Sequence, residues 1–195
     1  VIDSGVDANH PHFSLNNNIA KIGTGSDSSH SEASPSAAVQ APIRHVDFSK
    51  DHAGADLVAS EKGSLTDEYG HGTYVAGIIT GACEQGLEKV ANINIANRRR
   101  KLGSRYEIIK NVQRMRCGIA PKCKIISFKV LDENGHGNVS NIIAALGEIQ
   151  RINENGRFHK IHGVNLSVGY DFKPEWFACG QSPLCVEVDR LVRNG

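Results

Sequence analysis

The sequence contains no apolar run long enough to cross a bilayer and no large excess of charge of either sign. Its 22 lysines and arginines balance 21 acidic residues, which leaves a formal net charge of +1. A membrane-spanning helix needs roughly 20 consecutive apolar residues, and a nearly neutral chain has no general attraction to nucleic acid or to membrane surfaces. Within these 195 residues we therefore expect neither a membrane span nor a nucleic-acid partner.

Cysteine is sparse, and its spacing does not match a structural zinc site. The five cysteines include no C-x-x-C pair and no close group of four cysteines and histidines, so no metal site is expected. Cys117 with Cys123, and Cys179 with Cys185, each flank a short turn. Either pair fits a small disulfide-closed loop in an oxidising compartment, and free buried thiols in a cytosolic protein fit equally well.

What is present is the composition of one soluble α/β domain. Hydrophobic residues make up 39% of the chain and charged residues 22%, and 20 glycines indicate many turns. A chain of this length can bury one sizeable core. It begins inside an apolar, strand-like segment at Val1 and reads as a helix from Val188 to Gly195. We therefore expect a single partial domain over residues 1–195, cut from a longer protein.

Short apolar segments alternate with segments of helical periodicity along the chain. Strands are predicted at Val1–Asp3, Ile43–Phe48, Lys124–Leu131 and Ile161–Val168. Helices are predicted from His71 to about Thr80, over Val139–Ile152, and over Val188–Gly195. Strands and helices that alternate in this way favour a parallel sheet with right-handed crossovers.

Two stretches, about residues 14–42 and 83–116, look like loop insertions. The second carries nine basic residues against three acidic ones. Such a run is usually a solvated surface, and this is our interpretation of it. A nucleic-acid contact lacks the interleaved aromatics that it needs, since Tyr106 stands alone. A processing site for a basic-specific protease at Arg98–Lys101 is the other option.

Two polar side chains fall at element ends that a parallel sheet brings to one edge. Asp3 ends the first predicted strand, and His71 opens the first long helix. In α/β proteins, chemistry gathers at the carboxyl ends of the strands. The positive end of a helix dipole disfavours imidazolium, which keeps a histidine in the neutral form that a general base needs. The structural alternatives are an aspartate that caps a loop and a histidine in a plain turn.

Five motifs, in this order, resemble the catalytic domain of the subtilisin-like serine proteases, the subtilases. They are Ile2-Asp3-Ser4-Gly5-Val6-Asp7 with His10-Pro11, Gly70-His71-Gly72-Thr73 with Val75-Ala76-Gly77-Ile78, Gly118-Ile119-Ala120-Pro121, Lys129-Val130-Leu131 with Gly135-His136-Gly137, and Asn165-Leu166-Ser167-Val168-Gly169. The resemblance implies an α/β fold with a subtilisin-like three-layer parallel sheet and helices on both faces. The fold would be incomplete, without the start of its first strand and its C-terminal half.

The resemblance also implies a role for each motif. His71 would be the general base and later the acid towards the leaving amine, and Asp3 would hold its tautomer and stabilise the imidazolium. Asp67 would line the cleft beside the histidine. Two segments would pair through their main chains with an extended polypeptide substrate: Gly135-His136-Gly137 and Ser167-Val168-Gly169.

These motifs say less about cofactors, partners and location. Bound calcium is common in the family, but its ligand loops are not recognisable here, so no cofactor and no metal ligand are assigned. A polypeptide substrate is implied, with the protein's own propeptide as a second partner. The cysteines leave the compartment open, and a secreted or cell-envelope location is preferred to the cytoplasm.

The sequence departs from the family pattern at two points. Tyr74 stands where the family usually has a second histidine, at a structural position that tolerates variation. The family's nucleophilic serine lies in a Gly-Thr-Ser-Met-Ala segment, which does not occur among these 195 residues. We expect that serine and the oxyanion-hole asparagine to lie beyond Gly195. We also expect this chain alone to be proteolytically inert, because catalysis depends on both groups.

Two other functions are compatible with such a fold. A catalytically inactive pseudoprotease would keep the cleft as a peptide-binding module, but the presence of both Asp3 and His71 argues against it. Carboxylate-based relatives of subtilisin replace the histidine with glutamate, so His71 argues against them as well. The leading prediction is a serine-type endopeptidase that acts through an Asp-His-Ser triad, present here as a fragment with the aspartate and the histidine.

Overall fold

A computed structural model describes residues 1–14, 16–21, 44–49, 64–82, 93–102, 105–113, 118–170, 175 and 180–194. Within these ranges the elements are, in chain order, β1 (Ile2–Asp3), α1 (Pro11–Ser14), β2 (Val46–Asp47), α2 (His71–Thr80), β3 (Ile93–Leu102), β4 (Arg105–Gln113), β5 (Phe128–Lys129), α3 (Val139–Ile152) and α4 (Pro183–Arg193).

A small parallel sheet lies at the centre of the described chain. Its strand order is β1-β5-β2, with Phe128 opposite both Ile2 and Val46. On the other side of β1, a single parallel bridge pairs Ile2 with Leu166. All four segments therefore run in the same direction, and their carboxyl ends meet at one edge of the sheet.

Helices cover both faces of this sheet. On one face Ile2, Val46 and Phe128 share a buried cluster with residues of α3 and α4. On the other face Val6, Phe13, Ala76 and Ile125 form a second cluster between α1, α2 and the sheet. Successive side chains of a strand point to opposite faces, so Ile2 serves the first cluster while Asp3 points towards α2. The predicted α/β architecture, a parallel sheet with helices on both faces, is confirmed.

Helix α2 begins at His71 and ends at Thr80, as the sequence predicts. Gly70 precedes it with φ 89°, in the left-handed region that glycine adopts without strain. Gly72 is packed so closely on the chain leaving β1 that an added Cβ would lie 2.1 Å from the carbonyl oxygen of Gly5. A glycine at this position therefore lets the start of α2 approach the end of β1.

The remaining predicted elements differ from the structure mainly at their boundaries. The strand predicted over Lys124–Leu131 is present as Phe128–Lys129 with a separate bridge at Ile125, and the strand predicted over Ile161–Val168 contributes the bridge at Leu166. The last helix begins at Pro183 rather than Val188 and ends at Arg193.

The basic stretch contains a feature that the sequence analysis missed. We predicted a solvated loop over residues 83–116, but β3 and β4 form a two-stranded antiparallel ribbon within it. The register places Leu102 opposite Arg105 and Ile93 opposite Gln113, with an irregularity between Ala96 and Arg99. Most of the other insertion, residues 14–42, lies outside the described residues, although Ile19 bridges to Ile125.

The structure describes two of the five cysteines. Cys123 and Cys185 are exposed free thiols. Cys83, Cys117 and Cys179 lie outside the described residues, so neither predicted loop pairing has both of its members there. Among the helices that are described, none has the length and apolar character of a membrane span.

Candidate active site

The carboxylate of Asp3 and the imidazole of His71 meet at the carboxyl edge of the sheet. The Nδ1 of His71 lies 2.8 Å from Oδ1 and 3.0 Å from Oδ2 of Asp3. The carboxylate is 1% exposed, whereas 41% of the histidine side chain faces solvent. Because a carboxylate only accepts, Nδ1 carries the proton of this hydrogen bond and the Nε2 lone pair is left for a reacting group.

Asp3 is fixed from both its main chain and its side chain. The amide of Ser4 donates to Oδ1 at 2.7 Å, and the amide of Val130, just past β5, donates to the Asp3 carbonyl at 2.8 Å. These contacts hold the carboxylate in one orientation, with both of its oxygens within 3.0 Å of His71 Nδ1. The imidazole is therefore oriented by a rigid strand end rather than by a loop.

Asp67 clamps the start of α2 to the turn after β1. Its Oδ2 accepts from the amide of Thr73 at 2.7 Å and from the Thr73 hydroxyl at 2.6 Å. Its Oδ1 accepts from the Ser4 hydroxyl at 2.7 Å and from the Gly70 amide at 2.8 Å. Burial acts to raise the pKa of Asp67, but these hydrogen bonds outweigh it and hold the pKa below the ordinary value of 3.8.

The Ser4 hydroxyl completes this clamp. It donates to Asp67 and accepts from the amide of Gly72 at 2.9 Å, so it connects the end of β1 directly to the first turn of α2. The Thr73 hydroxyl makes a parallel connection, accepting from the amide of Asp7 at 2.9 Å. Asp67, which we predicted as a cleft-lining residue, thus has its carboxylate turned towards the helix start and the β1 turn.

A second anchor fixes the residues just before the histidine. The ammonium of Lys129, on β5, pairs with the carboxylate of Glu68. The lysine side chain is 6% exposed and the glutamate 55%. Hydrogen bonding to that ammonium lowers the pKa of Glu68 below its ordinary value of 4.5. The segment that leads into His71 is therefore tied to the central strand as well as to β1.

Tyr69 lies between the histidine and the glycine-rich turn after β5, and sequence reasoning did not single it out. Its ring centroid is 6.5 Å from that of His71, at an interplanar angle of 47°. The outer edge of the same ring lies over Gly135, where an added Cβ would come within 2.6 Å of Cζ. No motif marks an aromatic at this position, so only the folded geometry reveals it.

Asp132 organises the turn that contains the first predicted substrate segment. Its carboxylate accepts from the amides of His136 at 2.8 Å and Asn134 at 2.9 Å, which lowers its pKa below the ordinary value of 3.8. Its main chain also bonds to the carbonyl of His136 and the amide of Gly135. Gly135 has φ 77°, which favours glycine at this position.

The second predicted substrate segment lies on the other side of β1. The amide of Ile2 donates to the carbonyl of Asn165 at 3.0 Å, and Leu166 pairs with Ile2. The exposed Ser167 and Gly169 follow directly, while the Ser167 hydroxyl donates to the Asn165 side chain at 2.9 Å. Both predicted segments therefore follow strands adjacent to β1, so the end of β1 with Asp3 lies between them.

The chemistry of this arrangement is that of an imidazole base oriented by a buried carboxylate. Within the ranges that the structure describes, no three histidine, cysteine or acidic side chains are grouped so as to hold a metal ion. A buried carboxylate that orients an accessible imidazole is suited to removing a proton from a hydroxyl and returning it later.

Comparisons with known proteins agree with the geometry. The model of the Subtilase family matches residues 1–190. Subtilisin-like protease 3 of Pseudogymnoascus destructans is 30% identical over 135 residues, which cover 67% of this chain and 24% of that protein. Subtilisin-like protease 5 of Arthroderma otae is 31% identical over 129 residues, or 65% and 23% of the two chains. The chain thus corresponds to about a quarter of these relatives' length, and it belongs to the subtilase family.

Proposed function

We propose that this chain carries the aspartate and the histidine of a serine endopeptidase whose nucleophilic serine lies elsewhere in the complete protein. The observation that supports the proposal is the hydrogen bond between His71 Nδ1 and the buried carboxylate of Asp3. Membership of the subtilase family agrees with this chemistry. In the proposed triad, His71 is the base and Asp3 is the residue that orients it.

The proposed reaction begins with a proton transfer to His71. Its Nε2 takes the proton of the serine hydroxyl as the oxygen attacks the peptide carbonyl. The imidazolium that forms is stabilised by Asp3, which stays ionised. His71 then gives the proton to the leaving amine, and an acyl-enzyme remains for hydrolysis by water through the same steps. The polar shell of Asp67, Ser4 and Thr73 keeps the helix start in place throughout.

The substrate is proposed to be an extended polypeptide that lies between the two segments flanking β1. Gly135–Gly137 and Ser167–Gly169 would each offer main-chain groups to it, as the edges of a sheet do. The amides of Gly135 and His136 already bond to Asp132. On the first segment, pairing with substrate is therefore proposed for the Gly135 carbonyl and the backbone of Gly137.

We further propose that these 195 residues are inert when expressed alone. They contain no Gly-Thr-Ser-Met-Ala segment. Without a nucleophile, an oriented His-Asp pair has nothing to activate. In subtilisin-type enzymes the loss of one triad member leaves only about 10³–10⁴-fold acceleration over water, which is far below a working protease.

Labelling with a fluorophosphonate tests the proposal, because the reagent forms a bond only with an activated serine. The complete protein should be labelled, its His71→Ala variant should be labelled very slowly, and this chain alone should not be labelled. Asp189→Asn, on the exposed face of α4, is a control that should label like the wild type. A complete protein that folds, contains the serine segment and still resists labelling would instead be a peptide-binding pseudoprotease.

A further inference from the structure

Two segments of the sequence match the acceptor pattern for N-linked glycosylation, which is Asn-x-Ser or Asn-x-Thr with any residue except proline in the middle. They are Asn138-Val139-Ser140 and Asn165-Leu166-Ser167. The second belongs to the fifth of the subtilase motifs, so family membership accounts for its residues. The first lies outside all five motifs, and the proposed catalytic chemistry does not use it.

The side chain of Asn138 is exposed and does not cap the helix that it precedes. An asparagine at the N-cap position normally accepts a hydrogen bond from one of the first helical amides. The backbone of Asn138 is extended, with φ −95° and ψ 144°, as this position requires, but its side chain makes no such bond. An exposed side chain without a capping bond can carry a substituent at no cost to the start of α3.

The residues on either side of Asn138 are open to solvent as well. His136 and Gly137 before it and Ser140 after it are exposed, whereas Val139 packs against the buried cluster that the sheet shares with α3 and α4. A glycan is bulky and strongly hydrated, so it fits a folded protein only where its first sugar reaches bulk water. Asn138 meets this condition.

The asparagine of the other acceptor pattern does not meet it. Asn165 is partly buried beside β1, and its carbonyl accepts from the amide of Ile2 at 3.0 Å. Its side-chain oxygen accepts from the Ser167 hydroxyl at 2.9 Å. A glycan here would stand against the segment that pairs with β1, directly before Ser167–Gly169, which is proposed to bind substrate. The folded structure therefore favours modification of Asn138 over that of Asn165.

We propose that Asn138 is N-glycosylated when the complete protein passes through the secretory pathway, and that Asn165 is not. The donor is an oligosaccharide joined to a polyprenyl diphosphate. The side-chain nitrogen of Asn138 forms a bond to the anomeric carbon of the sugar, the bond from that carbon to the diphosphate breaks, and one of the two amide protons is released. The modified side chain stays a neutral amide. The proposal does not depend on the proposed peptidase activity.

Peptide mapping of the complete protein, secreted from a yeast, tests the proposal. Trypsin leaves the two asparagines in different peptides, because Arg151, Arg157 and Lys160 lie between them. The amidase that releases N-linked glycans, used in heavy-oxygen water, converts each glycosylated asparagine into a heavy-oxygen aspartate. We expect this label at Asn138 in most molecules and at Asn165 in few. Fragmentation of the first peptide distinguishes Asn138 from the other asparagines in it.

Matched variants separate the glycan from other sources of a mass change. Ser140→Ala keeps Asn138 but destroys the acceptor pattern, so the glycan should be lost entirely. Ser140→Thr keeps the pattern and should keep the glycan, while Asn165→Gln should leave the amount of attached glycan unchanged. Circular dichroism of each secreted variant checks that it is folded.

Three results would overturn the proposal. The first is an unmodified Asn138 in the secreted, folded wild type. The second is a glycan that persists at Asn138 in Ser140→Ala. The third is equal occupancy of Asn138 and Asn165, because exposure in the folded protein would then have no part in the choice of site.

Discussion

At the residue scale, the Asp3–His71 pair depends on which atom of Asp3 accepts and which atom of His71 donates. Both oxygens of Asp3 lie within 3.0 Å of Nδ1. An amide in place of the carboxylate would keep the shape but introduce an N–H group where an acceptor is needed. Facing such a donor, the imidazole would turn its lone pair towards position 3 and lose it at Nε2.

Asp3→Asn should therefore lower kcat of the complete protease by about 10⁴-fold while leaving the fold intact, as the corresponding change does in another serine protease family. Steady-state hydrolysis of a chromogenic peptide measures the loss, and circular dichroism checks the fold. Asp189→Asn, in an exposed ion pair with Arg193, is the matched control and should keep full activity. A loss of less than tenfold for Asp3→Asn would contradict the assigned role.

Asp67 contributes to the stability of the folded protein, and this contribution depends on pH. Its pKa in the folded state lies below the ordinary value of 3.8, so the folded protein binds the proton less readily than the unfolded chain. The stability that results is fully present above about pH 4 and is lost as the pH falls through the lower, folded pKa. Asp67→Asn should cost about 2 kcal/mol near neutral pH, through weakened hydrogen bonds to Thr73, Ser4 and Gly70.

Urea unfolding at pH 6 and at pH 3 checks this prediction. The difference in unfolding free energy between wild type and Asp67→Asn should be large at pH 6 and smaller at pH 3. Asp189→Asn, in the exposed ion pair with Arg193 on α4, supplies a control with a small difference at both values. A larger difference in unfolding free energy at pH 3 than at pH 6 would contradict the predicted direction of the pH dependence.

The same scale shows what the sequence alone reveals about a site. The meeting of Asp3 and His71 was predictable because each stands inside a local motif of the sequence. Tyr69 was missed because its position beside Gly135 depends on a fold contact between residues that are far apart in sequence. A motif search finds functional residues that lie within one short segment, and it does not find a contact between two segments that are distant in sequence.

At the element scale, the packing of α2 on the end of β1 brings Asp3 and His71 together. Gly72 allows this packing, since a Cβ there would lie 2.1 Å from the Gly5 carbonyl oxygen and 3.1 Å from Cβ of Asp3. Main-chain atoms cannot move aside cheaply. Gly77, in the same helix, would place its Cβ no closer than 3.6 Å to His12, which is ordinary contact.

Gly72→Ala should therefore destabilise the complete protein by about 3 kcal/mol and lower its activity, because α2 must move away from β1. Gly77→Ala should be neutral or stabilising by about 0.5–1 kcal/mol, since alanine is the better helix former. Thermal unfolding and peptide hydrolysis measure the two effects. Equal behaviour of the two variants would mean that α2 does not need its close approach to β1.

The start of α4 offers a second test at this scale. Ser182 precedes Pro183, the first helical residue, and its hydroxyl accepts from the amide of Cys185 at 3.3 Å. Asn138 stands at the same place before α3 but makes no such bond. Ser182→Ala should cost about 1 kcal/mol of unfolding free energy and Asn138→Ala clearly less. Urea denaturation of the two variants compares them, and a larger loss for Asn138→Ala would contradict the capping argument.

Elements with strong periodicity were predictable, and those defined by caps or by distant pairing were not. The bounds of α2 and α3 follow from their apolar spacing and the glycines after them. The start of α4 was set five residues late because the Ser182-Pro183 cap was not recognised. The ribbon of β3 and β4 was missed because its basic residues were given more weight than its isoleucines, its valine and its tyrosine.

At the scale of the whole molecule, one surface of the described chain exposes several large apolar side chains. Tyr74 and Ile78 lie one turn apart on α2 and are 69% and 47% exposed. Ile119 is 88% exposed, and its amide bonds to the carbonyl of Ile78 at 3.0 Å, so the three side chains belong to one patch. Contiguous apolar patches on a protein surface mark sites of association.

This chain, expressed by itself, should therefore self-associate through the patch of Tyr74, Ile78 and Ile119. Ile119→Ser removes the most exposed member and should weaken association by about 1.5 kcal/mol, or roughly tenfold in the dissociation constant. Val192→Ser, on α4 next to Arg193, is 71% exposed but lies outside the patch, and it should have little effect. Sedimentation velocity over a dilution series measures the difference. If Ile119→Ser associates as strongly as the wild type, the contact between copies does not involve this patch.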